Sequence, residues 1–198
     1  MATFLEGVES ILLACSLVVV VPILLVALAA KSGRVWTVAG AVVGTSTMMW
    51  ARAARLWELD PDGRLRWLIA GAIIATFAGS FRADNAGAAV RFGFGIAAGL
   101  IAAWLWQPCV GEHFAEVLNR AETAPLGSLV KMHAYVIGLL LPTIAVAALP
   151  HAVPAASRPL RHRYLRRASL AVALAYAAAV ALGWYTDLVG ELFRVSSR

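Results

Sequence analysis

Six long apolar runs, each closed by charged or turn-forming residues, constrain this chain more than anything else in it. A helix needs roughly 20 mainly apolar residues to cross a bilayer. The first run extends from about Val8 to Ala30 and is closed by Lys31 and Arg34. The second, about Val35 to Ala51, carries Gly40, Gly44, Thr45, Ser46 and Thr47, small and hydroxyl residues that let membrane helices approach closely. A charged turn around Asp60-Pro61-Asp62-Gly63 leads to a shorter third run, about Leu65 to Phe81. After Arg82, Asp84 and Asn85 comes a glycine-rich fourth run, starting near Ala86. The fifth spans about Leu129 to Leu149, and the sixth about Ala168 to Leu188.

Composition agrees with this pattern. The 198 residues are 61% hydrophobic and 14% charged, against about 45–50% and 25% in soluble domains. The chain reads as an all-α polytopic membrane protein with six transmembrane helices, surrounded by membrane lipid, and with no separate soluble domain. The net charge of +6 does not point to nucleic acid, because the arginines sit at the ends of apolar runs. Glu6 and Glu9 stand at the start of the first run where a cleaved signal peptide would be basic, so that run is expected to stay. Nine of the 17 Lys/Arg fall on the side shared by loops one–two, three–four and five–six. The cluster Arg158, Arg161, Arg163, Arg166 and Arg167 puts that side in the cytoplasm and both termini outside. The expected location is the inner (plasma) membrane.

The fourth run stops at Trp106-Gln107-Pro108-Cys109-Val110-Gly111. Pro108 has no N–H to donate and disfavours helix in the residue before it. Gly111 loosens the backbone again. In lipid, broken helix is tolerated where protein buries it or where it lines a wet cavity, so Cys109 is a candidate for chemistry. The amphipathic stretch Glu112 to Glu122 continues as the second half of a broken helix. Cys15 lies in the first run with Pro22 seven residues on. Each half of three spans thus opens with a cysteine-bearing, proline-interrupted helix. An odd number of spans per half inverts the second half, which is the plan of an inverted-topology repeat. Repeat one is about 1–86 and repeat two about 87–198. Two cysteines without a C-x-x-C or Cys/His spacing argue against a zinc module or a disulfide scaffold.

The second half resembles the CcdA/DsbD transmembrane family, the thiol-disulfide electron carriers of cytochrome c biogenesis. Trp106-Gln107-Pro108-Cys109-Val110-Gly111 is similar to the family's W-T-P-C-[IV]-G-P. Ala134-Tyr135-Val136-Ile137-Gly138-Leu139-Leu140-Leu141-Pro142 is similar to its A-Y-x-x-G-L-x-x-P. The first half matches only by span count and Cys15. Ala14-Cys15-Ser16-Leu17-Val18 lacks the prolines on either side of the family's first cysteine, and Glu112 stands where the second motif has proline. The resemblance implies that Cys15 and Cys109 form a redox disulfide, reduced by a cytosolic thioredoxin and in turn reducing an extracytoplasmic thioredoxin-like protein. Each step is attack of a thiolate on a disulfide sulfur, with no cofactor and no metal. Pro22, Pro108, Gly111, Gly138 and Pro142 would shape the broken helices. Glu112 or His113 would accept the proton, unless Glu112 merely opens a half-helix and His113 is interfacial.

Three other classes stay open on the sequence. His113, His133, His151 and His162 are candidate haem or metal ligands, although two lie in a polar loop. Exporters of the LysE type share a six-span, two-repeat plan. A non-catalytic assembly subunit, working with other membrane subunits, would keep the fold and lose the first motif, as the missing prolines around Cys15 suggest.

Overall fold

The computed structural model describes residues 2–11, 16–29, 34–54, 63–82, 87–105, 119, 125–152, 163–185, 187, 190, 191 and 194. Among these the chain is helical throughout, with no strand. The helices are α1 (Ala2–Ser10), α2 (Leu17–Ala29), α3 (Arg34–Ala53), α4 (Arg64–Arg82), α5 (Ala88–Leu105), α6 (Pro125–Leu139), α7 (Leu141–Ala152) and α8 (Arg163–Leu182).

The second, third and sixth apolar runs become the single helices α3, α4 and α8, and the fourth becomes α5. The other two runs are divided. The first becomes α1 and α2, with α1 ending in a tight turn where Ile11 N–H donates to Val8 C=O at 3.1 Å. No glycine or proline lies between Ser10 and Leu17, so local propensity does not set this division. Pro22 was expected to interrupt the run, yet α2 continues through it. In the fifth run α6 and α7 meet at Leu140 with a bend of 62°. There Pro142, two residues beyond, withholds the N–H that the Gly138 carbonyl would take and crowds that carbonyl with its ring.

Among the described residues one helix, α5, is long and apolar enough to cross a bilayer alone, and the bent pair α6–α7 makes a second if taken as one span. The others fall short for visible reasons. Helix α3 carries Arg34, Thr37, Thr45, Ser46, Thr47 and Arg52, α4 carries Arg64, Arg66 and Arg82, and α8 opens on three arginines.

One core cluster joins α2, α3, α4, α5, α6 and α8 through Val19, Ile23, Met48, Ile73, Leu105, Tyr135 and Val180. Helix α8 ends at Gly183, whose φ of 79° is the left-handed cap conformation that favours glycine. The Arg66 guanidinium from α4 occupies the space beside it, where a Cβ would sit. Arg34 is buried and donates from Nε to the Ala27 carbonyl at 3.1 Å, a cation on the last turn of α2.

Candidate functional site

Two helix pairs pack through glycine. Helices α3 and α5 make the most extensive contact in the fold. A Cβ on Gly44 would overlap the Ile96 carbonyl oxygen, and one on Gly99 the Ala41 carbonyl oxygen. Each glycine therefore meets the carbonyl three residues before its partner glycine. Gly40 and Gly95 repeat the relation one turn earlier, through Phe92 and Thr37. Register advances together on the two helices, so they run parallel. Thr45 Oγ1 donates across the seam to Gly99 C=O at 3.4 Å. Close approach of this kind gains dispersion and Cα–H···O contacts.

Helices α1 and α6 use the same relation. Gly7 meets the Tyr135 carbonyl, three residues before Gly138, and Gly138 meets the Phe4 carbonyl, three residues before Gly7. Under an exchange of the chain halves, run one with four and run two with five, the pair α1–α6 takes the place of α5–α3. Cys15 stands eight residues beyond Gly7, and Cys109 ten beyond Gly99.

Both helices that lead towards a cysteine are held near their C-terminal ends by polar side chains. Three of the last four described carbonyls of α5 accept hydrogen bonds from outside the helix. Arg52 Nη1 on α3 donates to Trp104 C=O at 2.8 Å and Ala103 C=O at 3.3 Å. The Tyr185 hydroxyl donates to Leu105 C=O at 2.5 Å. The sequence accounts for the demand at Trp104, because Pro108 has no N–H for the carbonyl four residues back. At the end of α1 the buried Tyr135 hydroxyl donates to Ser10 Oγ at 2.9 Å.

Compared with family models, curated proteins and solved structures, the chain matches none. What can be said of the site therefore comes from its own residues.

Cys15, Pro108, Cys109, Gly111, Glu112 and His113 lie outside the described residues. Of the redox and helix-shaping residues named from the sequence, three are described. Pro22 is within α2 and lines a cleft with α4, α5 and α8. Gly138 is the contact point of α6 on α1, and Pro142 opens α7 just past the bend. His133 Nδ1 is 2.9 Å from the Leu129 carbonyl of its own helix. Among the described residues no group of three His, Cys, Asp or Glu could hold a metal ion.

Arg52, Tyr185, and the Ser10–Tyr135 pair were missed from the sequence. Their partners are 51 or 52, 80 and 125 residues away respectively. The one available signal was the carbonyl that Pro108 strands at Trp104, which requires a donor from somewhere.

Proposed function

We propose that this chain is a membrane thiol-disulfide carrier in which Cys15 and Cys109 form and break a disulfide, passing reducing equivalents from a cytosolic thioredoxin to extracytoplasmic thiol proteins. The observation that carries this reading is the shared geometry of α1–α6 and α3–α5: the same glycine-to-carbonyl relation, with a cysteine eight or ten residues further along. A relay by exchange between two thiols needs a cysteine in each half.

In this reading the chain is a six-span bundle of two inverted three-helix repeats with broken first helices, multi-pass in the inner membrane. The principal helix contacts support it. Taken by apolar run, the contacts of three with six (α4–α8), one with four (α2–α5) and two with five (α3–α6) each map onto themselves under exchange of the halves, and one with six (α2–α8) exchanges with three with four (α4–α5). Exposed Trp36 and Tyr164 flank arginines at the starts of α3 and α8, which share one side of a six-span bundle. Exposed Trp67 and Trp184 mark the start of α4 and the end of α8 on the other. Aromatic and arginine side chains at both rims suit lipid interfaces.

Arg52 donates to the Ala103 and Trp104 carbonyls, six and five residues before Cys109 in the sequence, and a cation near a thiol favours the thiolate.

Each exchange forms one S–S bond as it breaks another, and the departing sulfur takes a proton. A single cysteine can be captured in a mixed disulfide but has no partner to resolve it. The test is the redox state of extracytoplasmic thiol proteins in cells carrying Cys15→Ser or Cys109→Ser, alongside the amount of each variant in the membrane. Both variants are expected to leave those proteins oxidised. Full activity of Cys15→Ser at normal abundance would sink the relay and favour a transporter or an assembly subunit.

A further inference from the structure

We propose that the seam between α4 and α8 holds one phospholipid with an anionic headgroup, its phosphate on Arg66 and one acyl chain in the cleft beside Pro22. The inference rests on the membrane location in the reading above and is independent of the relay. The cleft lies where α2, α4, α5 and α8 meet, and it is half open. Val26, Ile73, Phe77, Ala98 and Ile101 make its lining almost wholly apolar. The Tyr176 hydroxyl on the same wall is hydrogen-bonded to Tyr185. Such a lining suits an alkyl chain and penalises a polar solute, which would lose its hydrogen bonds to water.

The cation lies two helix turns away on the same pair of helices. Arg66 precedes Ile73 by seven residues on α4, and Gly183, at the end of α8, follows Tyr176 by seven. The Arg66 guanidinium occupies the space where a Cβ on Gly183 would sit, so a side chain at that position would displace it. Between this contact and the cleft, Ala70, Ile73 and Val180 are buried in one core cluster. Seven residues of helix rise about 10 Å, and the eleven from Arg66 to Phe77 about 16 Å. One leaflet of hydrocarbon is about 15 Å deep. A phosphate at Arg66 therefore puts the lower part of its acyl chain level with the cleft.

Arg66 has its charge to offer. It is partly buried, and it makes no hydrogen bond or ion pair among the described residues. The fork of N–H donors on a guanidinium matches phosphate oxygens. Exposed Arg64 adds a second cation two residues earlier. Exposed Trp67 and Leu68 follow Arg66, and exposed Leu182 and Trp184 flank Gly183. Cation, indole and aliphatic side chains together suit the level of the headgroups.

Native mass spectrometry of the intact chain, released from detergent that contains phosphatidylglycerol, tests this. One phosphatidylglycerol is expected on each chain, retained at least five-fold more often than phosphatidylcholine at equal concentration. Arg66→Gln should lower that occupancy at least five-fold. Ala98→Leu, which fills the cleft and leaves Arg66 in place, should lower it at least two-fold. Glycerol 3-phosphate, the same phosphate without acyl chains, should not displace the lipid. Unchanged occupancy in either variant, equal retention of the two lipids, or displacement by glycerol 3-phosphate would each overturn the site. Should Ala98→Leu fail to fold, Arg66→Gln and the glycerol 3-phosphate arm decide by themselves. Cys15→Ser and Cys109→Ser should hold the lipid as the wild-type chain does, so failure of the relay leaves the site standing. A chain recovered from the soluble fraction would overturn the membrane location and the site together.

Discussion

The Tyr185 hydroxyl donates to the Leu105 carbonyl at 2.5 Å, and Leu105 is the last residue of α5, four before Cys109. A residue just past α8 thus fastens the helix end from which the second cysteine segment departs. Removing the hydroxyl strands a buried carbonyl. Tyr185→Phe is expected to cost about 1–3 kcal/mol, read as a lower midpoint of thermal unfolding in detergent. The same variant should change the alkylation rate of Cys109 more than that of Cys15. Equal changes at both would mean that Tyr185 acts on the whole bundle and not on the end of α5.

The glycines divide into two classes by what surrounds them. Gly44 and Gly99 face backbone across the α3–α5 seam, and a methyl group there meets a carbonyl that cannot give way. Gly71 and Gly93 have nothing within reach. Gly44→Ala and Gly99→Ala should each destabilise by about 1–3 kcal/mol. Gly71→Ala and Gly93→Ala should stabilise by about 0.5–1 kcal/mol through backbone entropy. Thermal unfolding of the four variants under one detergent condition separates the classes, and a destabilised Gly93→Ala would contradict the packing described for α5.

Ser10 and Tyr135 meet through one buried hydrogen bond between α1 and α6. A double-mutant cycle with Ser10→Ala and Tyr135→Phe should return a coupling of about 0.5–1.5 kcal/mol. A coupling near zero would show that the close approach at Gly7 and Gly138 fixes this pair of helices without the hydroxyls.

Much of the helix plan is legible in the sequence, because apolar run length is a local property. The small residues of the second and fourth runs announce the α3–α5 seam, and Pro142 announces the bend at Leu140. Helix α1 begins at Ala2, ahead of the first apolar run, because packing of Gly7 on α6 orders residues too polar to read as a span. The division between α1 and α2 has no glycine or proline to announce it. Pro22, read as an interruption, is absorbed within α2 as its sixth residue, at the cost of one helix hydrogen bond. The contacts of Arg52 and Tyr185 join distant parts of the chain, and no local pattern encodes them. The two cysteines are visible only as residue types beside sequence breaks.

Arg52 donates to the Trp104 and Ala103 carbonyls, five and six residues before Cys109. A cation near a thiol favours the thiolate, so in the reduced protein at neutral pH Arg52→Gln should slow alkylation of Cys109 by a small permeant maleimide and leave Cys15 unchanged. Equal slowing at both thiols would mean that Arg52 acts on the whole bundle.

Thiol trapping in membranes tests whether Cys15 and Cys109 share a disulfide. Membranes are treated with a mild oxidant, quenched with acid and alkylated in denaturant with a high-mass maleimide. The oxidised chain should show no adduct, and two adducts after reduction. Each single Cys→Ser variant should show one adduct without reductant. Two adducts on the oxidised wild-type chain, or a disulfide that links two chains instead of closing within one, would rule out a Cys15–Cys109 bond within the chain.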